Sequence, residues 1–190
     1  QSRGLGDVYK RQIADSTCDI SKEDARKMGI QIVPISVRFG NEEFLDGVEI
    51  THEEFYTRLA ECDELPKTSQ PSPDTFMKVF NEAVAAGDDV LGIFISSDLS
   101  GTYQSACLAA LDVEEETGKK LYMVDSRSAS IGAALLIREA VKLRDAGVNA
   151  ADIAAACTEM SKYIKLTAVV GSLKSVSYTH LRAHETAANL

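Results

Sequence analysis

The chain has 190 residues, 45% of them hydrophobic and 26% charged, ordinary proportions for one folded domain with its own core. A formal net charge of −9 opposes binding to the phosphates of nucleic acid, and no apolar run approaches the roughly 18 residues that cross a bilayer. Cys18, Cys62, Cys107 and Cys157 stand far apart with no Cys-x-x-Cys pair, which favours small core side chains over zinc ligands or a disulfide frame. No signal peptide is recognisable, and a cytoplasmic protein is expected.

In chain order, residues 1–12 come first and read as foreign, as do residues 176–190. A DNA sequence coding for residues 2–12 resembles a sequencing-library adapter. Its reverse complement, read from the third base, encodes residues 176–185. Two natural termini have no reason to share one DNA in this way, so both ends are expected to be non-native, of metagenomic origin, and to lack packing partners. That leaves residues 13–175 as one truncated domain, with His180 and His184 set aside and His52 the remaining histidine.

Within 13–175, short apolar runs alternate with segments of helical period, the pattern of a parallel α/β sheet. Ile13-Ala14 reads as the stump of a first strand. Ser21-x-x-Asp24 caps a helix that runs through Met28 and stops at Gly29. Residues 32–39 read as one strand, placed at an edge or bulge by Pro34. Thr51-x-x-Glu54 is a second capping box, with Phe55 and Leu59 on one face of its helix. Ser72-Pro73 places a cap before proline at the first helical position, and Phe76, Phe80, Ala83 and Val84 form that helix's buried stripe.

Residues 90–95 form a continuous apolar run of buried-strand length. Tyr103, Ala106, Cys107, Ala110 and Leu111 mark the next helix face. Residues 120–124 read as a strand, 130–145 and 151–164 as helices, the second with Ile153, Cys157, Met160 and Ile164 in register, and 166–171 as a last strand. The expected fold is α/β, a mostly parallel sheet with helices on both faces.

In open α/β sheets ligands bind beyond the carboxyl ends of the strands, against helix N-termini. Three stretches put small hydroxyl residues there: Asp15-Ser16-Thr17, Lys67-Thr68-Ser69-Gln70-Pro71-Ser72-Pro73 and Ser96-Ser97-Asp98-Leu99-Ser100-Gly101-Thr102. Any one of them can be a plain helix cap. Together they outline a hydroxyl-lined, nearly uncharged anion pocket. Catalytic sets are poorly supplied. His52 lies in the first turn of a charged helix, and no Gly-x-Ser-x-Gly elbow, Walker loop or dinucleotide fingerprint is present. The clusters Glu114-Glu115-Glu116 and Asp88-Asp89 read as solvated faces or turns, and no metal site is expected. Asp15 fits an aspartate that orders its loop better than a base.

At these same loops the chain resembles the DegV family. The residues that carry the likeness are Ala14-Asp15-Ser16-Thr17-Cys18-Asp19, Val33-Pro34-Ile35-Ser36-Val37, Lys67-Thr68-Ser69-Gln70-Pro71 and Leu99-Ser100-Gly101-Thr102-Tyr103-Gln104-Ser105-Ala106, with Val124-Asp125-Ser126 a weaker fifth. The resemblance implies a bacterial fatty-acid-binding protein of two α/β domains, of which the second, with a further histidine and arginine near the carboxylate, is expected to be missing here. It implies a long-chain fatty acid as ligand, no cofactor, and for some members a separate fatty acid kinase as partner, with contact at the membrane surface no more than transient. It assigns the carboxylate to Thr68 and Ser100, with Ser16, Thr17, Ser69, Ser97, Gly101 and Thr102 in supporting loops. Two other readings remain: a hydrolase or phosphotransferase with Ser16 or Ser100 as nucleophile, and a non-catalytic interaction domain.

Overall fold

Strands short enough to be spanned by a few apolar side chains, and helices closed by polar caps, build the structure, a computed structural model that describes residues 10–62 and 64–167. The elements run β1 (Lys10–Asp15), α1 (Lys22–Met28), β2 (Ile30–Val33), β3 (Ser36–Phe39), β4 (Glu42–Leu45), α2 (His52–Glu61), β5 (Lys67–Ser69), α3 (Pro73–Ala85), β6 (Asp89–Phe94), α4 (Thr102–Thr117), β7 (Leu121–Asp125), α5 (Ile131–Asp145) and α6 (Ala150–Ser161). A single 3-10 turn, Ser16–Cys18, follows β1.

Four strands pair in parallel in the order β2-β1-β6-β7. Alternation along each strand sorts side chains to two faces. Ile13, Val90, Phe94 and Leu121 meet Phe76 and Phe80 of α3 and Ala106, Ala109 and Val113 of α4. Ala14, Leu91, Ile93 and Val124 meet Ala25 of α1, Leu136 and Ile137 of α5, and Ile153 and Cys157 of α6. Helices therefore cover both faces, as expected.

The caps form where their residues stand in the sequence. The Ser21 side chain accepts the Asp24 amide, and Gly29 closes α1 at φ 64°. Thr51 and Glu54 complete both halves of a capping box on α2, and Ser72 caps α3 ahead of Pro73.

The single strand expected over 32–39 is instead two strands in different sheets. Pro34 has no N–H to give, the Ile35 amide donates to Ser16 Oγ (3.2 Å), and the Ile35 carbonyl accepts from the Asp46 amide (2.9 Å), so the ladder ends there. The chain then builds a second, antiparallel sheet in the order β4-β3-β5, two strands of which, β4 and β5, the hydrophobic pattern does not reveal. This sheet has a core of its own: Val37, Phe39 and Ile50, with Phe44, Phe55 and Leu59 against them.

Two further expectations change, and a third falls mostly outside the described residues. The α4 stripe is rotated, since Leu111 is 59% exposed while Ala106, Ala109, Ala110 and Val113 are buried; the bulky Phe76 and Phe80 of α3 leave room there for small side chains. The first strand begins at Lys10, because a central strand finds ladder partners on both sides. Arg11 reaches Asp88 (2.8 Å) and Gln12 is buried, so these residues do have packing partners. The strand expected over 166–171 falls mostly outside the described residues, and Leu166 and Thr167 pair with no strand.

Candidate functional site

The carboxyl ends of β1, β6 and β7 release the chain into loops rich in serine and threonine, and buried acceptors tie these loops together. Asp15, at the end of β1, is the central anchor. One carboxylate oxygen accepts the Thr17 amide (2.9 Å) and the Thr17 hydroxyl, and the other accepts the Ile95 amide of the β6 loop (2.8 Å). Burial pushes its pKa above the usual carboxylate value, against these hydrogen bonds, which lower it. Asp15 thus orders its loop. Asp125, at the end of β7, does the same for two others, accepting from Ser97 Oγ (2.6 Å), the Ser97 amide (3.2 Å) and the Arg127 amide (2.8 Å). The Thr17 carbonyl accepts the Ser130 amide (2.9 Å), and the Ser130 hydroxyl bonds Asp19. Among the described residues, the non-glycine positions with positive φ, Asp19, Arg127 and Ser130, all stand at this edge with φ near +50°.

The Ser100 hydroxyl stands at the start of α4. Gly101 is the N-cap residue and has no side chain to offer, and Ser100 Oγ accepts the Thr102 amide (3.3 Å) in its place while lying 2.9 Å from Thr102 Oγ1. Thr68 lies in β5, directly across from Val37, and its hydroxyl has no hydrogen-bond partner among the described residues. Two residues on, Gln70 Nε2 donates to Ser105 Oγ in the first turn of α4 (2.8 Å), which brings the two hydroxyl segments together.

Of the residues expected to form the pocket, Ser16, Thr17 and Ser97 turn their hydroxyls to scaffold partners: the Ile35 amide, Asp15 and Asp125. Ser100 and the N-cap Gly101 lead directly into Thr102, the first residue of α4, and Thr68 and Ser69 share β5. Among the described residues, no lysine or arginine hydrogen-bonds any of these hydroxyls. His52 is exposed at the start of α2 and the Ser100 hydroxyl lies against that of Thr102, so among the described residues Ser100 is not paired with an imidazole. Among the described residues no three acidic, cysteine or histidine side chains gather as a metal cluster, and no helix is long and apolar enough to cross a membrane. The sequence reading missed Gln70, Ser105 and Ser130. Gln70 stands inside the Thr-Ser-Gln-Pro motif, which signals its hydroxyls more loudly than its amide.

The family described as "Uncharacterised protein, DegV family" matches residues 12–177. A DegV domain-containing protein of Clostridium perfringens is 38% identical over 164 residues, covering 86% of this chain and 58% of that protein. One from Staphylococcus aureus is 34% identical over 164 residues, covering 86% and 57%. Among solved structures, a stearic acid-binding protein from Eubacterium ventriosum superimposes with a TM-score of 0.72 at 34% identity, covering 78% of this chain and 52% of that one. A fatty-acid-binding DegV family protein from Thermus thermophilus gives 0.72 at 33% identity, covering 82% and 54%. The chain therefore spans a little over half the length of the curated relatives it matches. The parallel sheet, the order of the hydroxyl loops and a match across most of the sequence agree, and the chain belongs to the DegV family.

Proposed function

We propose that this chain holds the carboxylate head of a long-chain fatty acid, with Thr68 and Ser100 as its hydroxyl donors. In this reading the protein is a carrier with no cofactor, and it presents the head to a separate fatty acid kinase for acyl-phosphate formation. The observation that carries the reading is the joining of β5 to the first turn of α4 by Gln70, which puts the Thr68 hydroxyl, without a partner among the described residues, on the segment clasped to the helix that begins just after Ser100. First-turn amides and the helix field favour an anion there. A carboxylate held by hydroxyls without a buried arginine keeps its oxygens available for transfer chemistry. The solved relatives described as stearic acid-binding and fatty-acid-binding support the same ligand class.

The test uses the protein at the full length of its relatives, titrated with a fatty acid and a fatty alcohol of equal chain length. Ser100→Ala removes a hydroxyl donor to a charged group, worth about 1.5–3 kcal/mol, and Thr68→Val removes the other at nearly constant shape. Each weakens acid binding by roughly one to two decades and spares the alcohol, which brings no charge. Acid binding as tight as the parent's in both variants would show that the head is held elsewhere.

A further inference from the structure

The structure assigns to Gln70 the part of a positioning residue that sets Thr68 against the first turn of α4, and to Gly101 the part of its seat. The assignment deepens the carboxylate reading and rests on it for its ligand arm. Gly101 has φ −76° and ψ 5°, a backbone that any L-residue adopts, so conformation does not call for glycine here. Space does. A Cβ at Gly101 would lie 2.1 Å from Gln70 Oε1, 2.8 Å from Cδ and 2.9 Å from Nε2, so the amide lies across the glycine in the volume a side chain would fill. Its Nε2 donates to the buried Ser105 Oγ (2.8 Å).

The small sheet needs such a link. β5 pairs with β3 and is an edge strand, and its sheet packs on its own core of Val37, Phe39 and Ile50. Among the described residues, the other side-chain bond from this region to the parallel sheet's loops, from the Ile35 amide to Ser16 Oγ, lies just ahead of β3. The amide clasp is therefore the side-chain hydrogen bond that, among the described residues, ties the β5 segment, and Thr68 with it, to α4 just beyond Ser100.

The experiment is a double-mutant cycle in this chain, with Gln70→Ala, Gly101→Ala and both together, read by amide hydrogen exchange. Each single substitution is expected to speed exchange of the Lys67–Ser69 amides about five- to tenfold, the worth of one net hydrogen bond, while β1 and β6 amides stay at the parent's rate. Gly101→Ala displaces the far end of a flexible side chain, so the variant folds. In the double variant the alanine at 101 meets no amide and adds nothing to the effect of Gln70→Ala. Parent-like exchange in Gly101→Ala, or additive effects in the double, overturns the clasp. In the full-length protein, Gln70→Ala weakens the acid about tenfold and leaves the matched alcohol nearly unchanged; equal losses for both would make Gln70 structural and overturn the positioning role. A parent that binds neither ligand sinks the carboxylate reading alone, and the exchange cycle still decides the clasp.

Discussion

Asp15 and Gln12 lie on the same central strand, each 1% exposed, and they meet burial differently. Asp15 has partners for both oxygens, yet burial still lifts its pKa above the usual 3.8. The folded state therefore binds this proton more tightly than the unfolded chain. The stability it contributes is fully present below about pH 3.8 and is lost as pH rises through the higher folded value. Urea titrations across this window are expected to show a parent whose stability falls relative to Asp15→Asn as pH rises; a constant difference between the two would show that the carboxyl does not titrate differently on folding. Gln12 donates to the Ile137 carbonyl (2.9 Å), but its Oε1 is buried with no partner among the described residues. Leaving such an acceptor unmade costs about 1–3 kcal/mol, more than the one bond returns. Gln12→Met keeps the volume and removes the orphan, and it is expected to raise unfolding stability by about 1 kcal/mol; a lower urea midpoint at unchanged slope would count against this.

At the scale of elements, what the sequence discloses is local. Ser21, Thr51 and Ser72 each announce a helix start because a cap is a bond between residues three apart. Thr51→Ala should accordingly cost about 1 kcal/mol, seen as a lower thermal midpoint. Strands β4 and β5 are illegible for the opposite reason. Glu42-Glu43 and Lys67-Thr68-Ser69 are polar and exposed, and nothing but pairing with β3 makes them strands. The α4 face misleads because Leu111 is the more hydrophobic residue while the alanines are the buried ones; the partner's size decides, and that lies on α3. Ala109→Leu would force an oversized side chain against α3 and is expected to cost about 1–3 kcal/mol or more. Leu111→Gln on the exposed side should stay within about 0.5 kcal/mol. The reverse order in a denaturant series would restore the stripe through Leu111. The site divides along the same line: the hydroxyls of Thr68 and Ser100 can be read from motifs, whereas the seat that Gly101 makes for Gln70 depends on two loops meeting in space.

For the whole molecule, the surface carries a feature that the hydroxyl edge alone does not explain. Ile131 and Leu135 lie one helical turn apart on α5 and are 72% and 58% exposed. Ile131 directly follows Ser130, whose amide is bonded into the β1 loop, so the apolar stripe starts at the edge where the hydroxyls gather. Exposed apolar side chains in one stripe are an unfavourable feature for a protein that leaves them uncovered. The curated relatives are longer than this chain, which spans a little over half of their length, and the expectation is that such added length covers this stripe. The chain as it stands should then bind an environment-sensitive hydrophobic dye or self-associate. Ile131→Ser with Leu135→Ser should lower the dye signal several-fold without changing the urea midpoint, because exposed substitutions cost little. Joining the remaining length of a relative should lower it as well. A chain that stays monomeric in sedimentation and binds no dye would show that the α5 stripe is ordinary surface.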